Sequence, residues 1–141
     1  MISTVAAGTD GSATATEAVR VAVELARRFD AKLVLVSAFQ DSGGPVDREG
    51  ASVELQWASS SSARVREILA RTAEDLQDEG ISCTTLVDQG DPADVLVRLA
   101  TECGADVLVI GNKGMHRRVL GSVPNTVTHN ALCSVLVVKT T

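Results

Sequence analysis

The sequence contains very few aromatic residues. Among its 141 residues only Phe29, Phe39 and Trp57 are aromatic, and tyrosine is absent. Apolar residues nevertheless make up 45% of the chain, so the core must consist of aliphatic side chains. This composition is typical of a globular protein rather than a disordered one. The length predicts a single domain over residues 1–141.

Cysteines and long apolar runs are also scarce. Cys83, Cys103 and Cys133 are widely spaced and form no CxxC pair, which argues against a disulfide framework and a zinc site. We expect them to be buried free thiols in a reducing cytoplasm. No apolar run approaches the roughly 18 residues of a membrane span. The N-terminus shows no basic stretch followed by a long apolar one, so no signal peptide and no membrane partner are predicted.

Acidic residues are missing from the last 35 residues, although the formal net charge is −5. After Asp106 the charged residues are Lys113, Arg117, Arg118 and Lys139, which contribute +4 and leave −9 for the rest. The acidic total argues against nucleic acid as a partner. The C-terminal quarter, in contrast, is suited to an anion.

The hydrophobic pattern alternates between strands and helices. It predicts strands over 2–8, 31–39, 81–87, 106–110 and 134–139, and helices over 13–29, 57–79, 91–104 and 122–131. Because every helix lies between two strands, we predict an α/β fold, a five-stranded parallel doubly wound α/β/α sandwich. Such sheets bind ligands beyond the carboxyl ends of the strands, where the strand order reverses. The loops after the first and fourth strands are therefore the candidate site.

A glycine-bearing loop follows the fourth strand. Gly111 and Gly114 flank Asn112-Lys113, and Gly121-Ser122 opens the last helix. Glycine lets backbone N–H groups approach an anion, and a helix N-terminus offers unpaired N–H groups and a partial positive charge. The alternative is a tight turn at Gly111 and an ordinary cap at Gly121. The pattern favours phosphate binding, although it is neither a Walker A loop nor a GxGxxG fingerprint.

Three other polar residues are possible site residues. Asp10 ends the first strand, where a carboxylate would bind ribose hydroxyls or a metal, or would form an Asx-turn before the helix. The residue type leaves these alternatives open. His116 and His129 have no carboxylate at a ligand spacing, so we expect both to be solvent-exposed.

Five segments together resemble the universal stress protein family over essentially the whole chain. They are Gly8–Ser12, Gly90–Pro92, Val109–Gly114, Leu120–Val123 and Cys133–Val138. ATP-binding members of that family carry the pattern Gly-x2-Gly-x9-Gly-[Ser/Thr]. In this sequence Gly111, Gly114, Gly121 and Ser122 match the residue types, and the second gap is six residues instead of nine.

The resemblance implies a stress regulator that binds ATP or a related adenine nucleotide. It implies nucleotide-binding roles for Thr9, Asp10, Ala38, Gly90, Gly111, Asn112, Lys113, Gly114, Gly121, Ser122 and Val123. Among these, Asp10 would lie near the ribose and could hold Mg²⁺, and the backbone around Ala38 would contact the adenine. The resemblance also implies a homodimer through residues 134–139. We expect binding without efficient hydrolysis, because no base or water-orienting residue can be identified.

Four alternatives stay open at this point. The ligand could be AMP or cyclic AMP, because a shortened loop suits a single phosphate. The protein could be an ATP-pyrophosphatase or nucleotidyl transferase, although those carry their phosphate loop after the first strand. It could be a phospho-receiver built on Asp10, Asp88 and Lys139. It could also be a member of the family that binds no nucleotide.

Overall fold

The computed structural model describes residues 1–40, 61–112 and 120–139. The strands are β1 (Thr4–Gly8), β2 (Lys32–Phe39), β3 (Cys83–Gln89), β4 (Val107–Asn112) and β5 (Ser134–Lys139). The helices in the described residues are α1 (Ala13–Phe29), α2 (Ser62–Asp78), α3 (Pro92–Glu102) and α4 (Ser122–Asn130).

The helix boundaries follow the capping residues. Ser12 and Asp91 cap α1 and α3, each accepting a backbone N–H with its side chain. Ser61 caps α2 in the same way, whereas the start predicted at Trp57 lies outside the described residues. The prediction that the third strand begins at Ile81 was wrong by two residues. The Ile81 N–H instead donates to the carbonyl of Leu76 at the end of α2 (2.9 Å).

All five strands are parallel and lie in the order β3-β2-β1-β4-β5. The chain builds outward from β1 to β3 and then crosses to the other side of β1 to form β4. This reversal places the carboxyl ends of β1 and β4 side by side. The predicted parallel α/β sandwich is therefore confirmed, and the two strand ends that precede the loops chosen from the sequence are neighbours.

Alternate strand residues bury their side chains on opposite faces of the sheet. On one face Val5, Ala7 and Leu35 pack with α1 and α2, and on the other Ala6 and Leu108 pack with α3 and α4. The core is aliphatic, as the composition predicts.

The three cysteines are free but only half-buried, so the expectation of full burial was wrong. Cys83 begins β3, Cys103 follows α3, and Cys133 precedes β5. All three lie at or next to the end of an element, and each packs only partly against the core. Partial burial still raises the pKa of each thiol.

Asp106 anchors the start of β1 through its carboxylate. Its Oδ2 accepts the N–H groups of Ser3 (2.7 Å) and Thr4 (3.0 Å). These hydrogen bonds hold the pKa of Asp106 below its usual value. Because the folded pKa lies below the unfolded one of about 3.9, the resulting stability is present above that value. It is lost as the pH falls through the folded pKa.

Replacing Asp106 with asparagine tests this anchor, since the side-chain amide would keep an acceptor oxygen and lose only the charge. We expect Asp106→Asn to lower the free energy of unfolding at pH 7. The difference from the wild type should shrink toward pH 2, because the wild-type carboxyl takes up a proton as the pH falls. Urea denaturation at both pH values measures this. A difference that is equal at both would contradict the prediction.

Candidate functional site

A cleft of about 290 Å³ opens where the strand order reverses, at the carboxyl ends of β1 and β4. Its described lining comes from the end of β1 and the turn after it, the first turn of α1, the end of β4 and the start of α4, with one residue of α3. These residues are Gly8, Asp10, Ser12, Thr14, Ala15, Leu96, Ile110, Gly111, Asn112, Gly121, Ser122, Val123 and Pro124. The cleft therefore lies where parallel α/β sheets bind ligands.

The turn between β1 and α1 forms one side of the cleft. The Ser12 Oγ accepts the N–H of Ala15 (3.2 Å), and the Asp10 Oδ1 accepts the N–H of Ser12 (2.9 Å). Gly11 between them has a φ of +85°, which favours glycine. The Asx-turn considered for Asp10 is therefore present. Asp10 also lines the cleft, so the turn does not remove it from the site.

Gly111 lies where α1 crosses closest to β4. A Cβ atom at this position would be 2.5 Å from the Thr14 Cγ2 and 2.7 Å from the Thr14 carbonyl oxygen. Both distances are too short for real contacts. The packing of α1 against β4 therefore requires glycine here, independently of any anion. This contact also brings the beginning of α1 to the cleft.

The first turn of α4 forms the opposite side. Gly121 is its N-cap, with φ −65° and ψ 171°, and no side chain caps the helix. The Asn125 N–H is bonded to the Gly121 carbonyl (3.0 Å), whereas the N–H groups of Ser122 and Val123 have no acceptor within the helix. No acidic residue lies in this turn. The helix thus presents free donors and a partial positive charge to the cleft.

Two helix N-termini, those of α1 and α4, contribute partial positive charge to the cleft. The first turn of α1 also has no acidic residue. Asp10 is the one ionisable side chain among the described lining residues. Across the described ranges, no group of three or more His, Cys, Asp or Glu side chains is placed to hold a metal ion.

The structure brings some predicted site residues together and separates others. The predicted residues that line the cleft are Asp10, Gly111, Asn112, Gly121, Ser122 and Val123. Lys113 and Gly114 lie outside the described residues, as does His116. Thr9, Ala38 and Gly90 do not line the cleft.

These three residues are held elsewhere in the fold. Thr9 is buried and lines a groove between α1 and α2 on the other face of the sheet. Ala38 is buried in β2. The Gly90 N–H donates to the carbonyl of Phe39 (3.0 Å), which joins the turn after β3 to β2. Their roles in ligand binding therefore rest on the resemblance alone.

Several lining residues were not predicted. Leu96 reaches the cleft from the middle of α3, and nothing in its sequence context separates it from the other core leucines. Ser37 is a further polar residue that was missed, a buried serine in an otherwise apolar strand. Its Oγ donates to the Thr9 carbonyl at 2.6 Å. An isolated serine in such a strand was the signal that could have found it.

Two side chains considered for other chemistry lie away from the cleft. His129 is exposed, as predicted, with its Nδ1 2.7 Å from the Asn125 carbonyl oxygen. Asp88 lies on β3 and bonds Arg98 (2.8 Å). The Gln89 N–H and then the Arg98 side chain hold the pKa of Asp88 below its usual value. Since Lys139 lies on β5 at the opposite sheet edge, the geometry disfavours a phospho-receiver.

None of the helices in the described residues is both long enough and apolar enough to cross a bilayer.

Comparison with known proteins places the chain in one family. A model of the universal stress protein family matches residues 1–139. The universal stress protein Rv1636 of Mycobacterium tuberculosis is 36% identical over 144 residues, covering 98% of this chain and 97% of that protein. The universal stress protein MJ0531 of Methanocaldococcus jannaschii is 32% identical over 137 residues, covering 93% and 78%.

Solved structures agree with this assignment. A universal stress protein in complex with cAMP superposes with a TM-score of 0.75 at 33% identity, covering 99% of both chains. One from Archaeoglobus fulgidus gives 0.73 at 21% identity over 97% of this chain and 93% of that one, a likeness of fold. The chain therefore belongs to the universal stress protein family.

Proposed function

We propose that this protein binds an adenine nucleotide in the cleft and acts as a nucleotide-dependent stress regulator. The observation that carries this proposal is the convergence of two helix N-termini, those of α1 and α4, on one cleft. The start of α4 has neither a side-chain cap nor an acidic residue. Its Ser122 and Val123 N–H groups, with the Ser122 hydroxyl, would bind phosphate oxygens.

ATP is the nucleotide that the glycine pattern favours. Gly111, Gly121 and Ser122 lie together in the cleft, and with Gly114 they match the residue types of the ATP-binding pattern. The segment between them also carries Lys113, Arg117 and Arg118, which favours a multiply charged phosphate chain. Asp10 would accept hydrogen bonds from the ribose hydroxyls.

Cyclic AMP is the second candidate. The structural relative that is 33% identical was solved in complex with cAMP. The gap of six residues between Gly114 and Gly121 also suits a ligand with one phosphate. ATP and cAMP share the adenine base and differ in their phosphate groups. Comparing the affinities of adenine nucleotides that differ only in these groups therefore separates the two candidates.

The described residues do not fit a resident Mg²⁺ ion. Asp10 offers one carboxylate, and its Oδ1 already accepts the Ser12 N–H. Mg²⁺ is usually bound by one or two carboxylates together with substrate phosphates and water. We therefore expect the nucleotide-free protein to bind no Mg²⁺ with appreciable affinity. Titration of the free protein with Mg²⁺ by calorimetry checks this.

We expect binding without efficient turnover. Hydrolysis would require a residue that activates or orients water. In the described part of the cleft Asp10 is the one ionisable candidate, and one of its oxygens is engaged in the turn. His129 lies exposed on α4. Regulation by occupancy therefore explains the site better than catalysis.

We also propose that two copies pair along β5 and that the protein works in the cytoplasm. β5 lies at a sheet edge, and Leu136 on it is 38% exposed and the neighbouring Leu132 84% exposed. An apolar strand with an open edge tends to pair with another chain. The three free thiols suit a reducing compartment. Sedimentation velocity tests the dimer, which Leu136→Lys should convert to a monomer.

Calorimetric titration of nucleotide-free protein with ATP, AMP and cAMP tests the proposed function. GTP, GMP and cGMP serve as matched controls with the same phosphates and a different base. Saturable binding of an adenine nucleotide that is clearly tighter than that of its guanine counterpart supports the proposal. Tightest binding of ATP identifies the first candidate, and tightest binding of cAMP the second. The absence of saturable binding for all three adenine nucleotides would refute it.

A further inference from the structure

Two polar side chains are fully buried near the carboxyl ends of β2 and β4. Ser37 on β2 is 1% exposed and Asn112 at the end of β4 is 0% exposed. A buried polar group without a hydrogen bond would lower the stability of the fold. Both residues satisfy this requirement by bonding the backbone of segments that line the cleft or lead into it.

Asn112 holds the beginning of α4. Its Oδ1 accepts the N–H of Gly121 at 2.8 Å, and Gly121 is the N-cap of the helix. The two bonded residues lie nine positions apart, at the ends of the segment 113–120. The bond therefore ties α4 directly to the last residue of β4. It sets where the free N–H groups of Ser122 and Val123 lie relative to the sheet.

Ser37 holds the turn after β1. Its Oγ donates to the Thr9 carbonyl at 2.6 Å, while the Thr9 N–H donates to the Val36 carbonyl at 3.0 Å. The Thr9 Oγ1 in turn accepts the N–H of Gly11 (3.2 Å). β2 thus forms hydrogen bonds with both the N–H and the carbonyl of Thr9, the residue that immediately precedes Asp10.

We propose that Asn112 and Ser37 are positioning residues, which hold the two sides of the cleft in their binding geometry before a ligand arrives. The inference rests on the proposed function. In this arrangement the Asn112 Oδ1 acts on the ligand through Gly121. Groups that are held in place before binding lose less conformational freedom on binding, which increases affinity.

The Asn112–Gly121 bond also explains how a shortened loop is compatible with this site. Because the bond joins the ends of the segment directly, the place of α4 does not depend on the number of residues between Gly114 and Gly121. The six-residue gap therefore leaves the donors of Ser122 and Val123 at the cleft.

Three variants test the positioning role. Asn112→Leu removes the acceptor, Ser37→Ala removes the hydroxyl, and Val23→Ala is the control. Val23 is buried in the core on α1 and does not line the cleft, so its truncation lowers stability without touching the site. With the adenine nucleotide that binds the wild type most tightly, we expect Asn112→Leu and Ser37→Ala to weaken affinity by about tenfold. Val23→Ala should stay within about twofold.

The outcomes of this comparison are distinct. Wild-type affinity in both site variants would overturn the proposal. So would an equal loss in Val23→Ala, because the effect would then reflect stability alone. If Asn112→Leu does not fold, Gly121→Pro removes the donor instead, and the φ of −65° at Gly121 is the value that proline prefers. It should lower affinity to the same extent, and unchanged affinity would overturn the Asn112 part.

Amide exchange provides a readout that needs no nucleotide. The Gly121 amide should exchange its hydrogen slowly in the wild type and in Val23→Ala. In Asn112→Leu it should exchange faster, because its acceptor is gone. If the wild type binds no nucleotide, the proposed function fails, and the exchange measurement still decides whether Asn112 holds α4. A Gly121 amide that exchanges freely in the wild type, or equally slowly in Asn112→Leu, would overturn that role.

Discussion

Gly111→Ala should destabilise the protein by about 3 kcal/mol, the largest loss of stability expected for so small a change. The added Cβ would lie 2.7 Å from the carbonyl oxygen of Thr14 and 2.5 Å from its Cγ2. The carbonyl belongs to the first turn of α1, so it cannot move without shifting the helix. β4 is equally constrained, because it lies between β1 and β5. We expect the melting temperature to fall by about 10 °C.

Gly8→Ala is the matched control for this prediction. Gly8 ends the neighbouring strand β1, but a Cβ there would meet only side-chain atoms, the nearest being the Ile110 Cγ2 at 3.2 Å. Side chains adjust more easily than backbone, so the loss should be about 1 kcal/mol. Urea denaturation of both variants makes the comparison. Equal losses would show that the contact between Gly111 and Thr14 is not as tight as the structure has it.

Ser122→Asp should weaken nucleotide binding by about 10- to 100-fold while leaving the fold as stable as before or slightly more stable. A carboxylate in the first turn of a helix is favourable by about 0.3–1 kcal/mol. The same carboxylate would repel a phosphate bound at this helix end, and placing like charges together costs several kcal/mol. Stability and affinity are therefore expected to change in opposite directions. A variant that merely damaged the fold would lower both.

Ser122→Asn controls for the size of the new side chain, because it is neutral and nearly the same shape as aspartate. Calorimetric titration gives the affinity, and thermal unfolding without nucleotide gives the stability. We expect Ser122→Asn to bind at least tenfold more tightly than Ser122→Asp. If the two variants bind equally well, the phosphate does not lie at the start of α4, and the proposed orientation of the nucleotide is wrong.

The structure gives Gly111 and Gly121 reasons that differ from the one their motif suggests. The sequence suggested that Gly111 is a glycine so that a backbone N–H can reach an anion. The structure shows a sufficient reason of another kind, the approach of Thr14 from α1. Gly121 shows the reverse, since its φ of −65° is open to any residue. What distinguishes Gly121 is its N–H, which donates a hydrogen bond to the Asn112 Oδ1.

The sequence alone determined the type and order of the described strands and helices, because these depend on local patterns. The Asp91-Pro92 helix start and the bounds of the last strand, 134–139, were both correct. The alternation of strands and helices also implied a parallel sheet. That implication identified the loops after β1 and β4 as the candidate site before any contact was known.

Only the tertiary structure decided which side chains meet at that site. Thr9 and Asp10 are adjacent in sequence, yet Thr9 is buried beside Ser37 and Asp10 lines the cleft. Leu96 arrives from a helix on one face of the sheet, and Thr14 from a helix on the other. Such contacts join residues that are far apart in the chain. They depend on how each helix packs against the sheet, and local sequence patterns do not determine that packing.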